Sequence, residues 1–160
     1  MKTDILIVGG GTGGVAAALS AAARGKRVVL TEETDWIGGQ LTSQGVPPDE
    51  HQWIEEFGCT QTYRDLRNAI RNHYKKNYPL TADARSNKVL NPGSGSVSRL
   101  CHAPRVALAC LEEKLEPFIS SGKLRLLKKT IPEAVETDND EVKSVEVLNL
   151  ESNMQLILRG

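Results

Sequence analysis

The chain has 160 residues, 39% of them hydrophobic and 25% charged, which suits a single globular core and excludes a disordered or fibrous chain. Lys and Arg together number 20, as do Asp and Glu, so no net field draws in nucleic acid or an anionic membrane surface. The opening Met1-Lys-Thr-Asp4 leads into four clearly apolar residues before the first glycine, too short a run for a signal-peptide core or a membrane span, so a cytoplasmic location is expected.

The first predicted element is a short apolar strand, Ile5 to Val8, of the kind a buried parallel sheet uses. It stops at Gly9-Gly-Gly-Thr-Gly-Gly14, in which Gly9, Gly11 and Gly14 fill the G-x-G-x-x-G spacing. In that motif the first glycine permits the sharp turn, the second lets a pyrophosphate approach the backbone, and the third lets the helix pack closely on the strand. Residues Val15 to Ala23 are almost all small and read as that helix, with Gly25 closing it. The unpaired N–H groups at its start, those of Thr12 and Gly13 among them, can bind anions without a lysine. The second strand, Val28 to Thr31, ends at Glu32, near the separation of about 20 residues at which an acid meets a ribose hydroxyl pair. Glu33 follows directly. Spacing favours Glu32 as the ribose ligand and leaves Glu33 as a solvated loop residue or the alternative ligand.

On these residues the sequence resembles the FAD-dependent oxidoreductases with a glutathione-reductase-like FAD domain. Gly9-x-Gly11-x-x-Gly14-x-x-x-Ala18, Gly25 and Glu32 fall where that family's nucleotide-binding signature puts them, and Trp36-Ile-Gly38-Gly39-Gln40-Leu41-Thr42 adds a second match. The resemblance implies that Gly38, Gly39, Gln40, Leu41 and Thr42 continue along the pyrophosphate and ribityl chain, a feature that NAD-only domains lack. Asn91-Pro-Gly-Ser-Gly95 and Ser98-Arg-Leu-Cys-His102 also look like a bacterial subgroup of such oxidoreductases. The expected fold is therefore α/β: a Rossmann-like FAD/NAD(P)-binding domain with a parallel sheet, crossover helices and an antiparallel β-meander, incomplete at the C-terminus. The implied function is hydride transfer between a small-molecule substrate and FAD. An NAD-dependent dehydrogenase, in which Gly38-Gly39 is only a turn, and a non-catalytic dinucleotide-binding fragment are the alternatives.

Beyond Gly45 the chain is expected to leave the nucleotide fold. The sequence divides into a βαβ unit over 1–45, a helical and loop insertion over 46–103, and a helix, third strand and meander over 104–160. Asp49 to Phe57 reads as a short capped helix. Gln61 to Asn77 reads as a longer one, with Tyr63, Leu66, Ile70 and Tyr74 at helical spacing. Arg64, Arg67, Arg71 and Lys75 form a second stripe, open to two readings: a cationic wall for a carboxylate or phosphate, or a solvated face or domain contact. Leu80 to Val97 is expected to be a loop, in which Gly93-Ser-Gly-Ser96 could form an anion-binding nest or a tether. Pro104 fits the first turn of a helix running to about Glu116, where Pro117 is expected to stop it. Its expected buried side is Val106, Ala109, Cys110, Leu111 and Leu115.

Leu124 to Leu127 is the predicted third parallel strand, and Glu141 to Leu150 and Met154 to Leu158 show the period-two patterning of a meander. A relative would continue into a further strand and a second flavin-contacting turn, so the chain reads as the N-terminal part of a larger flavoprotein whose C-terminal substrate domain lies elsewhere.

Cys59, Cys101 and Cys110 are odd in number and lie in no C-x-x-C pair, so a disulfide framework and a zinc knuckle are not expected, nor is any metal. Cys101 beside His102 could form a thiolate–imidazole pair, although adjacent residues seldom face each other. No catalytic acid or base is assignable from the sequence; His51, His73, His102 and Tyr63 are candidates by chemistry alone.

Overall fold

A computed structural model of the chain describes residues 2–160. Two compact units are present: one comprises residues up to Gly39 together with Glu112–Gly160, the other Gln40–Leu111.

The first unit is Rossmann-like. Strand β1 (Ile5–Val8) leads through the glycine turn into helix α1 (Thr12–Ala23) and returns as β2 (Val28–Thr31). Strand β3 (Leu124–Leu127) joins on the far side of β2, giving the parallel order β1-β2-β3 with Ile5 opposite Val28 and Val28 opposite Leu124. All four residues of β2 are buried, as the central strand of a covered parallel sheet requires. Helix α1 lies against the sheet through Val15, Ala18 and Ala22, and its small side chains permit that close approach. Gly25, at φ 80°, ends it and donates its N–H to the Ala22 carbonyl.

Three antiparallel strands follow: β4 (Thr130–Asp138), β5 (Glu141–Asn149) and β6 (Gln155–Leu158). Val145, Val147 and Leu158 bury one face of this meander against Val29 of β2, with Leu6 and Leu127 beside them. Strand β4 begins before Pro132 and passes through it. The register slips between Pro132 and Ala134 and again between Glu136 and Thr137, and such bulges accommodate a residue that cannot donate to the ladder.

The second unit holds α2 (Gln61–Asn77), α3 (Ala82–Ser86) and the start of α4 (Pro104–Ser120). Thr60 caps α2 by accepting the Tyr63 N–H.

Three local expectations need correction. Asp49 to Phe57 is a series of turns, tied by Ile54 N–H to His51 O and Phe57 N–H to Trp53 O, rather than a helix. The loop after Pro79 contains the five-residue α3, capped by Thr81. Helix α4 runs past Pro117 to Ser120; proline removes only its own donor, and the turn beyond it is closed by Ser121 N–H to Pro117 O and Lys123 N–H to Phe118 O. On the buried side of α4, Ala107 is fully covered, whereas Ala109 is half-buried.

Candidate functional site

The glycine turn is built by sterics that a six-letter motif conveys only in part. Gly9 sits at φ 101°, a backbone region that side chains disfavour, and its N–H donates to Thr31 Oγ1 at 3.2 Å. A Cβ on Gly14 would run into the Gly9 carbonyl, so α1 can start this close to β1 only with glycine there. Gly10, a free position in the motif, is as constrained: a Cβ on it would lie 2.8 Å from Glu32 Oε2 and 2.9 Å from Glu32 Cβ. Gly11 and Gly13 differ, because a Cβ on either meets no protein atom within 4 Å. Gly11 is also the N-cap of α1, and no side chain caps that helix end. Open space in front of uncapped N–H groups suits a phosphate.

Glu32 closes one side of this turn. It is only 7% exposed, and its Oε1 accepts both the Thr34 N–H at 2.8 Å and the Thr34 hydroxyl at 2.7 Å. Its backbone is held on two sides, with its N–H donating to Leu127 O and its carbonyl accepting from Thr130 N–H, both at 2.9 Å. The corner between β3 and β4 thus fixes the position of the acid. Glu33 is exposed. Thr31 and Thr34 are positioning residues that spacing did not single out; the signal available was a threonine on each side of the predicted acid.

The second glycine pair folds back onto the first. Gly38 N–H donates to Gly10 O, and Thr12 Oγ1 donates to Gly38 O, each at 2.8 Å. Gly38 lies at φ 102°, and a Cβ on Gly39 would come within 3.2 Å of Gly11 Cα. Gly9 to Gly14, Glu32, Gly38 and Gly39 therefore form one cradle, with the backbone of one glycine loop lying on the other.

A match over residues 4–157 to the family described as FAD dependent oxidoreductase covers nearly the whole chain. The chain belongs to that family. FAD is accordingly the cofactor that the family implies, and the open, uncapped, glycine-lined turn beside a buried carboxylate fits it. The chain is 35% identical over 110 residues to sarcosine oxidase subunit alpha from Corynebacterium sp. (strain U-96), a match covering 62% of this chain and 11% of that protein. It is 47% identical over 63 residues to an N,N-dimethylglycine/sarcosine dehydrogenase from Chromohalobacter salexigens, covering 39% of this chain and 9% of that protein. The matches span only a small part of such relatives. Among solved structures, the Sdh1 complex of Mycobacterium smegmatis superposes over 100% of this chain and 33% of its own, with a TM-score of 0.59 at 14% identity. A bacillithiol disulfide reductase from Bacillus cereus gives 0.52 at 18% identity over 99% of this chain and 37% of its own. These two share the fold.

The remaining sequence candidates lie in the second unit. Gln40 and Leu41 belong to a short 3-10 turn; Gln40 is exposed, while Leu41 and Thr42 are buried. Two of the four cations in the α2 stripe, Arg67 and Arg71, form neither a cationic wall nor a solvated face. Arg67 and Arg71 are buried and paired, Arg67 with Glu50 and Glu55, and Arg71 with Glu55 at 2.6 Å. Arg71 Nε also donates to Leu90 O at 2.9 Å. Burial opposes ionisation of Glu55, yet Arg71 and Arg67 hold its pKa below the ordinary carboxylate value. Burial likewise opposes the charge on Arg67, and Glu50 and Glu55 hold its pKa above the usual value. Tyr63 donates its phenol to Glu50 at 2.6 Å, and burial together with that bond raises its pKa far above the ordinary range. The acids that neutralise the stripe come from the preceding turns, a partnership that helical spacing does not encode.

Cys101 and His102 do not pair. The thiol faces Ser98 O, and His102 Nδ1 lies 3.2 Å from Ala103 O. Nor is Gly93-Ser-Gly-Ser96 an anion nest: Gly93 N–H donates to Cys101 O and Ser94 N–H to Asn91 O, while the Asn91 side chain ties Gly95 O, Ser98 O and Cys101 N–H together. His51 accepts the Trp53 N–H and packs its ring near Trp53 and Phe57; His73 packs near Tyr74 and Tyr78. Among the described residues no cluster of His, Cys, Asp and Glu could hold a metal ion, and no helix is long and apolar enough to cross a membrane.

Proposed function

We propose that this chain is the FAD-binding part of an oxidoreductase that transfers a hydride between a small-molecule substrate and FAD. The observation that carries the reading is the double glycine cradle, in which the Gly38-Gly39 loop is hydrogen-bonded onto the Gly9-to-Gly14 turn beside a buried carboxylate. Gly11 and Gly13 leave the approach open, and the N–H groups of Thr12, Gly13 and Gly14 at the start of α1 bind the pyrophosphate. Glu32, aimed by Thr34, accepts the hydroxyl pair of the adenosine ribose and repels a 2′-phosphate. Gly38 and Gly39 carry the contact beyond the pyrophosphate, which favours FAD over NAD. Bound FAD supplies the redox chemistry, and the chain binds and orients it.

The substrate is recognised by a domain outside these 160 residues, a reading supported by the small share of the curated relatives that the chain spans. A cytoplasmic location is supported by three cysteines, Cys59, Cys101 and Cys110, that are not joined in disulfides. The test is to purify the full-length protein and record its absorption spectrum before and after anaerobic addition of candidate small-molecule donors. A flavin spectrum that bleaches with one donor is expected. Purification without flavin, accompanied by tight binding of NAD, would overturn the assignment.

A further inference from the structure

Lys129 stands at the corner where β3 passes into β4, and its φ of 51° is left-handed, a conformation that side chains disfavour. Both peptide groups flanking its Cα are held at each end. In the first, Lys129 N–H donates to Thr34 O at 3.2 Å, while Lys128 O accepts from Thr130 Oγ1 at 2.9 Å and from Asn149 Nδ2 at 3.2 Å. In the second, Thr130 N–H donates to Glu32 O at 2.9 Å, while Lys129 O accepts from Leu150 N–H at 2.7 Å. The corner is therefore a spacer. One side grips the loop that carries Glu32 and Thr34, and the other is gripped by Asn149 and Leu150 where β5 ends.

Asn149 is the side chain that joins the turn after β5 to this corner. Its Oδ1 accepts the Glu151 N–H at 3.2 Å, the Ser152 N–H at 2.9 Å and the Ser152 hydroxyl at 2.8 Å. Its Nδ2 donates to Lys128 O and, at 3.3 Å, to Thr130 Oγ1. The partners fix the orientation of the amide, because backbone N–H groups only donate and a carbonyl only accepts. A rotation of either peptide out of the left-handed corner would turn the N–H of Lys129 or Thr130 away from Thr34 or Glu32. The Glu32 carboxylate would follow, since the Thr34 N–H and hydroxyl both bind its Oε1.

We infer that Asn149 is a positioning residue for the adenosine ribose: by holding Lys129 left-handed it fixes the Glu32–Thr34 loop, and with it the direction of the Glu32 carboxylate. This rests on the reading of Glu32 as the ribose ligand. Asn149→Asp keeps the acceptor that the turn needs and removes the donor to the corner. Thr130→Val keeps the shape of a buried side chain and removes the other bond to Lys128 O. The flavin-free full-length protein is titrated calorimetrically with ADP, the adenosine half of FAD, and with 2′-deoxy-ADP, which lacks one ribose hydroxyl. The unsubstituted protein is expected to prefer ADP at least about tenfold, and Glu32→Gln to lose most of that preference. Asn149→Asp and Thr130→Val should each reduce the preference at least about threefold through weaker ADP binding, with the affinity for 2′-deoxy-ADP nearly unchanged. Lys129→Gly should restore the preference in the Asn149→Asp protein, because glycine adopts a left-handed φ without strain. A preference intact in both variants, or a loss that falls equally on the two nucleotides, would overturn the positioning role and leave the ribose contact standing. So would a double variant no better than Asn149→Asp alone. A preference that survives Glu32→Gln would remove the ribose contact and the proposal with it.

Discussion

Thr12 Oγ1 donates to the carbonyl of Gly38 at 2.8 Å, so the first side chain of α1 holds the second glycine loop over the first. Thr12→Val keeps the shape and removes the donor. It is expected to weaken FAD binding by about 1–2 kcal/mol, roughly 5- to 30-fold, while Thr12→Ser retains most of the affinity. Titration of FAD into the apo-protein, followed by flavin fluorescence, measures both, and equal affinities for Val and Ser would show that the tie does not matter.

The glycines of the turn should separate into two classes. Gly10→Ala and Gly14→Ala introduce a Cβ where Glu32 and the Gly9 carbonyl already lie, so each should lower the melting temperature, by the equivalent of about 1–3 kcal/mol for an overpacked site. Gly11→Val meets no protein atom at its Cβ and should leave the melting temperature of the apo-protein nearly unchanged while abolishing FAD binding. Calorimetric scans paired with flavin content after purification distinguish the classes.

Glu32→Gln should weaken FAD by about 1–3 kcal/mol, the range for hydrogen bonds to a charged group, and Glu33→Gln should change affinity little because Glu33 is exposed. Isothermal titration of the two apo-variants decides between the neighbouring acids, and a larger loss at Glu33 would move the ribose contact by one residue.

Arg67 is fully buried between two glutamates, so Arg67→Met should destabilise the protein by about 3–5 kcal/mol, most of it from carboxylates left buried and unpaired. Adding Glu50→Gln to that variant should recover part of the loss. Urea unfolding of the single and double variants tests the coupling, and strict additivity would contradict it.

Stability should fall in two steps as the solution is acidified. His102 has a folded pKa below its ordinary 6.5, so the unfolded chain takes up that proton first, and stability declines as pH drops through 6.5 toward the folded value. Glu55 has a folded pKa below 4.5; its contribution is present above that value and is lost as pH falls toward its folded pKa. Urea midpoints measured against pH should show both, and His102→Leu should remove only the upper one.

The sequence by itself determined the nucleotide fold. Strands Ile5–Val8, Val28–Thr31 and Leu124–Leu127 and helix Gln61–Asn77 follow from apolar period, glycine punctuation and small-residue content, which act over a few residues and are therefore written locally. The motif spacing carried the family for the same reason. Tertiary structure alone decided which free positions of the motif matter. Gly10 is held to glycine by Glu32, 22 residues away, and Thr12 finds its acceptor 26 residues away, distances over which no periodic pattern extends. It also decided the fate of the arginine stripe: whether a cation on a helix faces water, a ligand or a buried acid depends on the segment packed against it, and here Glu50 and Glu55 reach it from irregular turns that carry no repeat in the sequence.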